Sequence, residues 1–250
     1  MTHEITAQRS HIRQASQVVA RRLWEECAPS SLGSAGEQAT DYIASAWEQR
    51  QRSEIACYPH TGAWTLLRQG APLLFWPPEE RQATQPINGA PLIVVPLDGH
   101  LHAERAIPLA CSLAALVGGE VVLAHVVRRP RWRISERGSQ VTRQAALRAM
   151  RAARMYLREA RARAAANTAV AISTKLLLGE PGEALVAFAL RPQIGAMALT
   201  THSQLRNDHF FAGAVATQLV RQARTPILLI PLGPETESQP TFSLRTAATS

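Results

Sequence analysis

Between Ala198 and Pro231 the chain reads ALTTHSQLRNDHFFAGAVATQLVRQARTPILLIP, and this stretch holds the residues best suited to hold an anion. Thr200, His202 and Ser203 supply two hydroxyls and an imidazole, and Gly213-Ala214 then opens a segment with Val215, Leu219 and Val220 at helical spacing. Ala198–Thr200 closes an apolar run and Thr201–Ala212 reads as a polar loop. Thr225-Pro226 stops the helix, and Ile227–Ile230 reads as a strand buried on both faces. A strand end, a loop and a helix start are where α/β sheets bind phosphate, because the free amides and the dipole of the helix favour negative charge there.

Asp98 follows the apolar run Pro91–Leu97 and could accept from a purine amine or a ribose hydroxyl. It equally suits the turn before Gly99, and both readings stand. His100 and His102 flank that turn with no further ligand near them in sequence, so no metal site is expected. No Ser/His/Asp triad and no acid–base carboxylate pair is readable, and no catalytic residue is assigned.

The other chemically distinctive stretch is basic. Arg128–Arg163 holds 12 arginines against Glu136 and Glu159, a local balance of 12 − 2 = +10 in a chain of net charge +8. Arg148, Arg151, Arg154, Arg158 and Arg161 recur at steps of three and four, which puts them on one side of a helix, with Leu147, Met150 and Leu157 assigned to another. Such a stripe is either a solvated outer face or an electrostatic footprint for a polyanion.

The elements that must position these residues follow from periodicity. Pro91–Leu97 and Glu120–Val127 are apolar strands joined by an Ala/Leu-rich helix over Glu104–Val117. Thr142–Ala166 is a long helix, Val170–Leu178 a strand, Gly182–Leu190 a helix and Gly195–Thr200 a strand. With the final helix and Ile227–Ile230, residues 91–232 predict a doubly wound, five-stranded parallel sheet. Before it lie amphipathic helices over Gln8–Cys27 and Gly36–Gln51, an apolar strand at Pro72–Trp76 and a Pro/Gln-rich linker over residues 79–90.

PLIVVPLDG at Pro91–Gly99, AHVV at Ala124–Val127, LGEPGEAL at Leu178–Leu185 and LTTHS at Leu199–Ser203 together resemble the universal stress protein family. The resemblance implies an adenine-nucleotide alpha-hydrolase-like fold and an adenine nucleotide such as ATP as ligand. It places that ligand against Asp98, Val126, Thr200, His202, Ser203, Gly213 and Ala214. Nucleotide-binding members carry Gly-x2-Gly-x9-Gly-Ser/Thr before the last strand, and the corresponding positions are Thr200, Ser203, Gly213 and Ala214. Glycines let backbone amides close on phosphate, and Ala214 lacks the final hydroxyl, so ATP is expected to bind weakly or not at all.

The first 78 residues echo the second half. Leu32-Gly33-Ser34-Ala35-Gly36-Glu37 matches Leu178-Gly179-Glu180-Pro181-Gly182-Glu183, and Gly62-Ala63 with Pro72-Leu73-Leu74 matches Gly213-Ala214 with Pro226-Ile227-Leu228. His60 to Gly62 is two positions where His202 to Gly213 is eleven, so the phosphate-facing loop is missing from the first copy. Residues 1–78 are expected to be a truncated, degenerate repeat, and 233–250 a disordered tail.

A composition 46% hydrophobic implies a folded core. Three cysteines without a motif, Cys27, Cys57 and Cys111, suit buried thiols in a reducing cytoplasm. No run approaches the roughly 20 apolar residues of a membrane span. The family resemblance implies that Pro72–Trp76 and Pro226–Ile230 are interface strands, within one chain or between two. The expected function is regulatory or ligand-sensing rather than catalytic. The alternative is a basic module that binds nucleic acid or acidic partners through Arg128–Arg163, and slow nucleotide hydrolysis is a third reading, lacking an evident base.

Overall fold

A computed structural model of the chain describes residues 73–75, 89–128, 139–206 and 209–232, with Ala7 and His11 besides. Among these, the elements are β1 (Leu73–Phe75), β2 (Leu92–Leu97), α1 (Leu101–Glu104), α2 (Ile107–Val117), β3 (Glu120–Val127) and α3 (Ser139–Ala165). They continue with β4 (Ile172–Leu178), α4 (Pro181–Ala189), β5 (Ile194–Arg206), β6 (His209–Ala212), α5 (Ala214–Gln222) and β7 (Ile227–Leu232). The truncated repeat, the linker and the tail expected from the sequence lie almost wholly outside the described residues.

Five strands run parallel in the order β7-β5-β2-β3-β4, and β1 adds to β7 antiparallel at one edge. Alternation along each strand divides the core in two. Ile93, Val95, Val121, Leu123, Ala196, Ala198 and Leu228 face α2 and α3, meeting Leu109, Leu113 and Leu157. Val94, Val122, Ala124, Met197, Leu199 and Leu229 face α4 and α5, meeting Leu185, Phe188 and Leu219. Helices on both faces of a parallel sheet make the fold doubly wound, and the uninterrupted apolar runs are the sequence signature of strands covered on both sides.

Three details differ from the sequence reading. The helix expected over Glu104–Val117 is two, because Pro108 sits in the first turn of α2, where a missing N–H is tolerated, and would break a helix running through from Leu101. Leu147 is 48% exposed and belongs to no core face, since the buried positions of α3 are Ala153, Leu157 and Ala160. The third concerns Thr201–Ala212, read as a loop. There β5 continues as strand to Arg206 and β6 folds back on it, pairing Ser203 with Ala212, Gln204 with Phe211, Leu205 with Phe210 and Arg206 with His209. Thr200, Thr201, Phe210 and Phe211 favour extended backbone, and an antiparallel ladder satisfies main-chain groups that a loop would leave to water.

Candidate functional site

In this strand order the connection reverses direction between β2 and β5, and the crevice at the carboxyl ends of those strands is where open α/β sheets take ligands. Asp98 is the first residue past β2 and is exposed; its Oδ1 accepts the His100 amide at 2.9 Å. Gly99 turns the chain at φ 99°, a left-handed value that favours glycine. The carboxylate therefore serves the turn and keeps further lone pairs free to accept other hydrogen bonds.

Val126, near the end of the neighbouring β3, is half-buried and packs on the core layer shared with α4 and α5. Thr200, on β5, is half-buried beside Ile230 of β7. Asp98, Val126 and Thr200 thus come from three adjacent strands at one edge. His202 lies opposite Leu232, and the pairing of Ser203 with Ala212 brings the chain at Gly213 and Ala214 back to the level of His202 and Ser203 on β5. Both Gly213 and Ala214 are exposed, and no side chain caps the first turn of α5.

The structure places Thr200, His202 and Ser203 within strand ladders, paired with Ile230, Leu232 and Ala212 in turn. A phosphate-binding loop converges several successive amides on one point, whereas successive amides of an extended strand point to opposite sides. What remains for an anion at this end is the uncapped start of α5.

Thr201 escaped the sequence reading. It is 3% exposed and its hydroxyl has no hydrogen-bond partner among the described residues. Alternation from Met197 and Leu199 puts it on the α4/α5 face, one strand step beyond Leu199. A polar atom buried without a partner is uncommon and costs its desolvation, so it marks a place where a ligand group could bind.

On the other face a second group gathers around α1. Arg163 of α3 holds Glu104 of α1 through Nη2 to Oε1 at 2.7 Å and Nε to Oε2 at 3.1 Å. Glu104 raises the affinity of the guanidinium for its proton, chiefly through these hydrogen bonds. Tyr156 packs edge-on to His125, with ring centroids 5.9 Å apart, and the Nδ1–H of His125 donates to the carbonyl oxygen of Leu97 at 2.8 Å. The Tyr156 hydroxyl is buried near the Glu104 carboxylate without good hydrogen-bond geometry, and burial first, then the Glu104 and Asp98 charges, hold its proton well above the ordinary phenol range. Cys111 is buried too; burial pushes its thiol up and leaves it a core residue rather than a nucleophile.

All five arginines of the α3 stripe are exposed, and none is paired with an acidic side chain among the described residues. Among those residues no group of three or more His, Cys, Asp or Glu side chains could hold a metal ion, and no helix is long and apolar enough to cross a membrane.

Several solved structures are similar to this chain. Universal stress protein UspA from Lactobacillus plantarum is 20% identical over 57% of this chain and 99% of its own, with a TM-score of 0.48. A universal stress protein solved in complex with cAMP is 22% identical over 57% and 98%, at 0.43. A universal stress family protein from Burkholderia pseudomallei is 24% identical over 62% and 100%, at 0.40. No curated protein matches. The model of the universal stress protein family matches residues 92–231, more than half of the chain, which is the whole doubly wound sheet from β2 into β7 with the crevice at its edge. On that match the chain belongs to the universal stress protein family.

Proposed function

We propose that this is a regulatory, ligand-sensing member of its family that takes a small adenine-type ligand at the carboxyl edge of β2, β3 and β5 and grips a triphosphate weakly or not at all. One observation carries this reading. The segment that would wrap phosphate runs as strand through Arg206 and returns as β6, with Thr200, Ser203 and Ala214 at the positions where the family pattern has glycine or hydroxyl. The edge keeps Asp98 for a base or ribose and Val126 as an apolar wall, while its amides are extended rather than convergent. We assign no catalytic residue, and signalling through the bound and free forms is the role that fits. Asp98, Val126, Thr200, His202, Ser203, Gly213 and Ala214 are the proposed lining.

Calorimetry with adenosine, AMP, cAMP and ATP tests this. The expected order has ATP no tighter than adenosine, with all binding lost in Asp98→Ala. Low-micromolar ATP binding that far exceeds adenosine would show that the phosphates are gripped and would end this reading.

We infer a second role as a basic interaction module for polyanions, on the strength of the five exposed arginines of α3, none of them paired with an acidic side chain among the described residues. For assembly, we propose that pairing of β1 with β7 is the contact through which the chain associates, within itself or with a second copy.

A further inference from the structure

The helix that carries the arginines is longer than the sheet it packs on. At 1.5 Å per residue the 27 residues of α3 span about 40 Å, whereas the 8 residues of β3 at roughly 3.3 Å span about 26 Å. The excess lies at the N-terminal end. From Arg143 to Ala152 only Ala146 and Met150 are even half-buried, and Ala153 is the first residue that is fully buried. Because α3 returns from the end of β3 to the start of the parallel β4, this free end extends beyond the carboxyl edge of the sheet.

The exposed surface of the helix is unusual in what lies between the charges. Ala145, Ala149 and Ala152 are exposed and small and flank the stripe, while the exposed Leu147 and Met155, about two turns apart, lie among the arginines with Arg151 between them. Two apolar side chains about 12 Å apart with a guanidinium between them make a small anchor beside five positive charges, so charge dominates this face. It offers guanidinium groups on a slim rod.

From Arg148 to Arg161 the stripe covers about 20 Å, a length over which one strand of a duplex presents about six phosphates at 3.4 Å each. The planar fork of arginine matches phosphate oxygens two at a time.

We propose that α3 is a nucleic-acid-binding element, with Arg148, Arg151, Arg154, Arg158 and Arg161 lying along the phosphate backbone of a duplex without sequence preference. This rests on the polyanion reading of α3 and narrows it to one class of partner. Arg163 is excluded, being held by Glu104, and so is Arg128, which lies 3.8 Å from Glu180.

Fluorescence anisotropy with the full chain and labelled duplexes of about 20 base pairs, DNA and RNA in parallel, decides it. Five phosphate contacts predict a log–log salt slope of about −4.5, a loss of roughly 500-fold between 50 and 200 mM salt. Arg151→Gln/Arg154→Gln/Arg158→Gln should reduce the slope to about −2 and abolish binding at the higher salt. Arg224→Gln, exposed before β7 at the other edge of the sheet, should change neither, and circular dichroism should confirm that each variant is folded. Binding that ignores the triple substitution would overturn the proposal. Duplexes left unbound at low salt while heparin binds would overturn it too, leaving the broader polyanion reading intact, and failure of both probes would remove the two together.

Discussion

Arg163 and Glu104 are joined by two hydrogen bonds across 59 positions of sequence, and this pair fastens the four-residue helix after Asp98 to the long helix α3. Glu104 is mostly covered, with 13% of its side chain exposed, against 47% for Arg163. Half-exposed pairs contribute modestly, so Glu104→Gln should lower stability by about 1 kcal/mol. A double-mutant cycle with Arg163→Gln, read by urea denaturation, should return a coupling of similar size, and a coupling near zero would mean the pair is decorative.

The neighbouring Tyr156 predicts an alkaline limb. Its folded-state proton is held above the ordinary phenol value by burial and by Glu104 and Asp98, with Arg163 opposing and His125 in ring contact. A group raised on folding adds stability that is complete below its unfolded value, near 10, and is lost as pH rises from there towards the folded value. Tyr156→Phe should therefore flatten the fall in stability above about pH 10. At pH 7 it should change stability by less than about 1 kcal/mol, because the hydroxyl it removes makes no well-aligned hydrogen bond among the described residues.

Thr201 offers a test of the ligand edge that is independent of Asp98. Thr201→Val removes a buried hydroxyl without a partner, so the free protein should be unchanged or more stable by about 1 kcal/mol. If that hydroxyl meets the ligand, the same variant binds adenosine more weakly, and thermal shift with and without ligand separates the two effects. Equal shifts in variant and parent would remove Thr201 from the site.

Two glycines should respond differently to alanine. A Cβ on Gly119 would run into the carbonyl oxygen of Pro91, which is backbone and already accepts the Glu120 amide, so Gly119→Ala should cost about 1–3 kcal/mol. On Gly182 the obstacle is the tip of the Gln218 side chain, which can swing aside, and the cost should stay below about 1 kcal/mol. Denaturant midpoints of the two variants, measured side by side, check the ranking.

The strands buried on both faces were legible because runs such as LIVVPL and EVVLAHVV are short, rich in β-branched residues and flanked by glycine or proline, and helix periods between them implied the crossovers. The β5–β6 hairpin was not. Its strands mix polar and apolar residues without a clean alternation, and the ladder that makes them strands is a property of the pair. The Glu104–Arg163 and His125–Tyr156 contacts were equally invisible, since no local pattern links residues so far apart. Within the ligand edge, the motif positions named Thr200, whereas the buried orphan is Thr201, and only the pleat of β5 tells those two faces apart.

Packing of Phe75 predicts how the sheet edge responds to damage. Phe75 is 7% exposed and sits in the core layer with Ile227 and Leu229, so Phe75→Ala should cost about 3 kcal/mol or more. It should also free the outer edge of β7, and light scattering should then show concentration-dependent association. A strictly monomeric and equally stable variant would argue that β1 adds nothing.

The place of β1 has a consequence for the order of events as the chain emerges from the ribosome. Leu74 pairs with Leu228, a separation of 228 − 74 = 154 residues, and β7 itself inserts between β1 and β5. The early strand therefore has no partner until nearly all of the sheet has been synthesised, and Leu73-Leu74-Phe75 spends that interval as an apolar segment with open edges. Nascent chains stalled before residue 227 should be the form that chaperones hold and that aggregates first. Release of β7 would then complete the parallel sheet and shelter β1 in one late step.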